Sequence, residues 1–153
     1  MNIQSMSNDE KIQIQKEIKE IINTLISGCE NLDMEMAFAM FLNAPEFLMM
    51  GTDGTLCDYQ TYLKNNIDYL TACSSFNLTT FREETSILDR ETVVHAWAYG
   101  VEAILKTGEK DIVKNAGASF VFKKQNEEWK VVYYHESTVP PTRILPGQVD
   151  IKG

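Results

Sequence analysis

Apolar residues recur at helical spacing through Ile12, Ile14, Ile18, Ile21, Ile22, Leu25 and Ile26. Lys11, Lys16, Glu17, Lys19 and Glu20 fill the opposite side, so the pattern predicts an amphipathic helix of about five turns. Ser7 and Asn8 can cap it, Asp9 and Glu10 suit the positive end of its dipole, and Gly28 predicts its end. After Asn31-Leu-Asp33, the nearly unbroken apolar run 34–42 predicts a second, largely buried helix, stopped by Asn43-Ala-Pro45. Residues 46–50 predict a short strand and Gly51-Thr-Asp-Gly54 a turn. Asp58 then caps a third helix carrying Tyr59, Tyr62, Leu63, Ile67, Tyr69 and Leu70.

Beyond Cys73 the texture changes to β-branched and aromatic runs, at 76–81, 92–105, 116–124 and 128–139. They are divided by Asp89-Arg90, Lys106-Thr-Gly-Glu-Lys110 and Gln125-Asn-Glu127. Breaks this short predict antiparallel hairpins. Helices first and strands afterwards predict an α+β fold. Residues 1–8 are expected to be a flexible N-terminus and 9–141 the domain. Residues 142–153 form an arm that covers a sheet edge or reaches a partner.

The length of 153 residues suits one domain with one core. A net charge of −8 and a pI near 4.7 argue against nucleic acid and anionic membranes as partners. The densest basic stretch, Lys123-Lys124, is followed closely by Glu127-Glu128. Cys29, Cys57 and Cys73 are odd in number and widely spaced, which predicts free thiols and a cytoplasmic setting. No signal-peptide pattern, membrane-length apolar run, phosphate loop, nucleophile elbow or metal-ligand spacing appears.

The segment Trp129-Lys-Val-Val-Tyr-Tyr-His135-Glu-Ser137, followed by Pro140, resembles the last strand of SnoaL-like domains in the nuclear transport factor 2-like superfamily. Gly51-Thr-Asp-Gly54 before the third helix is similar to a turn of that family. The resemblance implies a cone, with the N-terminal helices packed in the concave face of a strongly curved antiparallel sheet. It also implies a cavity between them and homodimers paired through the outer sheet face. Relatives include ketosteroid isomerases, polyketide cyclases, epoxide hydrolases, dehydratases and the association domain of calmodulin-dependent kinases. The fold carries many activities and sometimes none.

Strand alternation places Trp129, Val131, Tyr133, His135 and Ser137 on one face and Val132, Tyr134 and Glu136 on the other, unless a bulge intervenes. The resemblance to the kinase association domain turns Tyr134 and Glu136 inward, joined by Trp97, Tyr99 and Phe120. His135 and Ser137 then face the dimer contact. The expected catalytic residues are Glu136, Tyr99 and His95. The expected ligand contacts are Trp97, Phe120, Tyr134, Tyr62, Phe41 and His135. A carboxylate among aromatic rings is partly stripped of water and suits general acid–base work, although a solvated Glu at the rim explains Glu136 as well. His95 and His135 can each act as a proton shuttle, but the hydrogen-bonded structural histidine is the commoner reading of both. The family's pocket Asp has no counterpart within a strand pattern here. Its pocket arginines correspond to Tyr99, Phe120 and Glu136.

The expected function is binding of a small apolar or aromatic molecule in an aromatic-lined cavity. Cofactor-free, metal-free chemistry of the isomerase, cyclase or dehydratase type is its catalytic form. The alternative is a non-catalytic dimerisation or protein-interaction module of the same fold.

Overall fold

A computed structural model describes residues 6–149, so the expected flexible N-terminus lies outside the described residues over 1–5, and the end of the C-terminal arm over 150–153. Helix α1 (Asn8–Glu30) starts on a capping box. The Ser7 hydroxyl accepts from the Glu10 amide, and the Glu10 carboxylate accepts from the Ser7 amide, so two orphan donors are satisfied. Ile14, Ile18, Ile22 and Leu25 form its buried face, while Ile12 stays 62% exposed.

The helix continues past Gly28 to the cap at Asn31. Gly28 serves a close approach: a Cβ there would lie 2.3 Å from the Ala37 backbone nitrogen. Helix α2 (Met34–Phe38), capped by Asp33, is shorter than the apolar run. Its continuation bonds to the sheet instead. The Val131 amide donates to the Met40 carbonyl, and the Leu42 amide donates to the Val131 carbonyl. Helix α3 (Tyr59–Ala72) is capped by Asp58 as expected.

The strands are β1 (Leu48–Met50), β2 (Leu56–Cys57), β3 (Cys73–Asp89), β4 (Thr92–Leu105), β5 (Lys110–Gln125), β6 (Glu128–Thr138) and β7 (Thr142–Ile144). They form one curved, unclosed sheet in the order β2-β1-β6-β5-β4-β3, with β7 pairing with part of β5. The sheet is antiparallel except where β1 runs parallel to β6. The β5–β6 hairpin turns on Asn126 and Glu127, both at positive φ, the backbone of a type I′ turn. The arm beyond residue 141 thus begins as a strand of the sheet.

Bulges in β5 and β6 decide which of their side chains face the helices. In β6, Val131 pairs with Phe122 but Tyr133 pairs with Val121, leaving Val132 as the extra residue. Trp129 and Val131 therefore share the inner face with Tyr134 and Glu136, which corrects the simple alternation. In β5, Val113 and Ala116 pair with Val101 and Tyr99, so residues 114 and 115 together oppose one residue of β4. The core lies between α1 and this inner face, with Ile18, Ile22, Phe47, Phe120, Phe122 and Val131 fully buried.

Candidate functional site

A cavity of about 420 Å³ opens between the helices and the inner faces of β3 to β6. Trp97 and Tyr99 form one wall, their rings stacked 4.0 Å apart at 18°. The Trp97 indole donates to the Thr80 hydroxyl at 3.0 Å, which fixes the ring plane. Tyr62 and Tyr134 form another wall, with centroids 5.5 Å apart. Leu25, Cys29 and Phe38 close the cavity from the helical side.

Glu136 projects into this space from the end of β6. Its Oε2 accepts from the Tyr134 hydroxyl at 2.6 Å, the length of a charge-assisted bond. Burial, followed by the negative charge of Glu136, raises Tyr134, Tyr62 and Tyr99 above the ordinary phenol range. These hydroxyls stay protonated at neutral pH and serve as donors. Burial also pushes the Cys29 thiol up to about 12, with Glu30 and Glu136 adding to the effect, so it is no thiolate nucleophile.

A second polar group sits at the edge of the cavity. Arg143 of β7 grips Asp111 of β5 through two parallel bonds, Nε to Oδ1 at 2.7 Å and Nη2 to Oδ2 at 2.8 Å. The Tyr69 hydroxyl also donates to Asp111, at 2.7 Å. The guanidinium is the main cause holding Asp111 below the usual carboxylate range. Neither Asp111 nor Arg143 was expected. Asp111 follows a turn in a stretch with weak strand character, and the β5 bulge aligns it with the inner face. Arg143 lies in a Pro-rich tail whose pairing with β5 is non-local.

Of the expected residues, Glu136, Tyr99, Trp97, Tyr134 and Tyr62 come together around the cavity. Phe41 and Phe120 lie behind the wall, packed on Tyr134 at 5.6 and 4.9 Å. His95 is not part of the cavity; it is buried beneath α1. Its Nδ1 bonds the Thr85 hydroxyl at 2.9 Å, and its Nε2 lies 3.5 Å from Glu83, whose other oxygen pairs with Lys19. Burial, and then the Lys19 charge, lower His95 to about 4. Its bulky neighbours leave it a neutral packing residue at neutral pH.

His135 lies on the outer face, away from the cavity. Register places Glu84, Ala96, Ser119 and His135 in one row across four strands, and Arg82, Ala98, Gly117 and Ser137 in the next. The small residues at the centre leave a shallow trough flanked by charges. Among the described residues, no group of three or more His, Cys, Asp or Glu is placed to hold a metal ion, and no helix is long and apolar enough to cross a membrane.

Comparison with known proteins places residues 14–140 on the family model of the calcium/calmodulin dependent protein kinase II association domain. No curated protein sequence matches the chain. Several solved structures share the fold. The association domain of C. elegans calcium/calmodulin dependent protein kinase II superposes with a TM-score of 0.65 and 18% identity, covering 86% of this chain and 100% of that one. An NTF2-like superfamily protein from Salmonella enterica serovar Typhimurium gives 0.74 at 17% identity, covering 93% and 97%. A candidate scytalone dehydratase from Novosphingobium aromaticivorans gives 0.77 at 10% identity, covering 94% and 100%. Identities this low establish the shared NTF2-like fold alone.

Proposed function

Because this chain belongs to the family of the calcium/calmodulin dependent protein kinase II association domain, we propose that it is a self-associating domain whose cone takes up a small molecule. The observation that carries the binding function is the position of Glu136. The side chain projects among Trp97, Tyr99 and Tyr134 and is held by a phenol rather than by a cation. A mostly apolar cavity with a few convergent polar groups is the usual form of a small-molecule site. Its volume of about 420 Å³ lies within the range of small-molecule sites.

The finer, catalytic form of this function is cofactor-free acid–base chemistry, with Glu136 exchanging the proton and Tyr99 or Tyr134 donating to a developing oxyanion. Isomerisation, cyclisation and dehydration all fit those two roles. The test is Glu136→Gln in a ligand and turnover screen. Every affinity and rate unchanged from wild type would remove Glu136 from the site.

Association is supported by a separate feature, the outer trough. Ala96, Ala98 and Gly117 carry almost no side chain, so another sheet can approach closely. His135 and Ser137 at its margin supply donors and acceptors. Light scattering after size exclusion reads the assembly directly. A monomer at every concentration would remove the association half of the proposal and leave the binding half intact.

A further inference from the structure

The charges at the cavity are unevenly satisfied. Asp111, Arg143 and Glu136 are its ionisable acid and base groups of opposite sign among the described lining residues. Asp111 and Arg143 neutralise each other through their two parallel bonds. The remaining guanidinium nitrogen, Nη1, turns to Glu109 at 3.8 Å. Glu136 has no such counterpart. Its hydrogen-bond partner is the phenol of Tyr134, which is neutral.

The cavity that this carboxylate enters is walled largely by aromatic rings. Trp97 lies stacked on Tyr99, and Tyr62 lies beside Tyr134. An aromatic face carries negative potential and attracts a cation, and so does a carboxylate. In a partly dry cavity the two attractions act in the same direction and are weakly screened. An anion would be repelled by both. A neutral ligand could accept the apolar contacts of Leu25, Phe38 and Val101 but would leave Glu136 without a counter-charge.

Resting on the ligand-binding function above, we infer that the cavity selects a small organic cation: an amine or quaternary ammonium carried on an apolar or aromatic body. The cationic head sits against Glu136 and the indole of Trp97. The body extends toward Leu25 and Phe38. Arg143 does not oppose it, because Asp111 cancels its charge.

The test uses three probes with one phenyl ring and different heads: phenethylamine, 2-phenylethanol and phenylacetate. Their affinities are measured by titration calorimetry against the full chain, wild type and Glu136→Gln. In wild type, the cation is expected to bind about tenfold or more tighter than the alcohol, equivalent to about 1.4 kcal/mol. Glu136→Gln is expected to remove most of that advantage while leaving the alcohol's affinity in place. Equal binding of amine and alcohol, or a preference for phenylacetate, overturns the cation inference and leaves the cavity's binding role standing. Binding of none of the three at millimolar concentration overturns both. The wild-type ratio decides the matter by itself should the variant fold poorly.

Discussion

Replacing Gly28 with alanine should destabilise the domain, although the same change in an ordinary helix stabilises it. The added Cβ would lie 2.3 Å from the Ala37 nitrogen, 2.6 Å from its Cα and 2.8 Å from the Met36 carbonyl carbon. Ordinary contact begins at 3.4 Å, so the nearest pair is short by about 1.1 Å. All three atoms are backbone, and no side chain can rotate away. The Gly28 carbonyl also accepts from the Asp33 amide at 2.8 Å, which ties the two helices at this point. Relieving the clash means moving α2 away from α1, at an overpacking cost of about 1–3 kcal/mol. Alanine returns about 1 kcal/mol through its better helix propensity. With three backbone atoms this close the cost lies at the upper end of that range, so the net expectation is a loss of about 2 kcal/mol, or several degrees in Tm for a chain of this size. Cys29 and Phe38 flank the contact and line the cavity, so probe binding should weaken as well. Urea unfolding followed by circular dichroism, at one fixed protein concentration because self-association shifts the midpoint, measures the change. An unchanged or higher urea midpoint would refute the claim that this glycine exists for the helix–helix approach.

Further substitutions probe the other parts of the molecule. Tyr134→Phe removes the donor to Glu136 and should cost about 1.5–3 kcal/mol, as hydrogen bonds to charged groups do, seen as a lower urea midpoint. An unchanged midpoint would mean that the 2.6 Å bond does not persist in solution. His95, at about 4 against an ordinary 6.5, binds its proton in the unfolded chain first. Stability should therefore be complete above pH 6.5 and decline as pH falls toward about 4, by about 3 kcal/mol at 1.36 kcal/mol per pH unit. Thr85, Phe120, Glu83 and Lys19 surround this ring, and Lys19 offsets the attraction of Glu83. His95→Gln should flatten that pH slope, and a slope as steep as wild type would assign acid sensitivity elsewhere. Ala98→Arg places a charge in the outer trough and should reduce the assembled mass in light scattering, by about tenfold or more in association constant. An unchanged mass would place the contact on another surface. Arg143→Met should release β7 from β5, read as faster hydrogen exchange at Thr142–Ile144 while the β5–β6 hairpin stays protected.

The caps, the helix periodicity and the hairpin breaks were legible because they depend on residues close in sequence. Ser7 and Asp58 cap as expected. The apolar run after Asp33 misled because apolarity marks burial rather than helix, and Met40 and Leu42 satisfy their backbone on Val131. The inner positions of Tyr134 and Glu136 followed from resemblance to the kinase association domain. Strict alternation would have separated them from Trp129 and Val131, and the bulge at Val132 reunites them. Asp111 and Arg143 stayed hidden because a bulge and a strand pairing 32 residues apart create their contact. His95 carried a catalytic expectation because an imidazole can shuttle protons near neutral pH. Residues on one face of a long strand reach different ends of a curved sheet, and His95 lies under α1 instead of at the cavity.

The most direct test of the cavity's role is a crystal structure of the chain grown with phenethylamine. The expected result is density inside the cone, with the ammonium within hydrogen-bond distance of the Glu136 carboxylate and the phenyl ring against the apolar wall. A cone closed by its own aromatic side chains, with the amine absent or bound only on the outer surface, would contradict it.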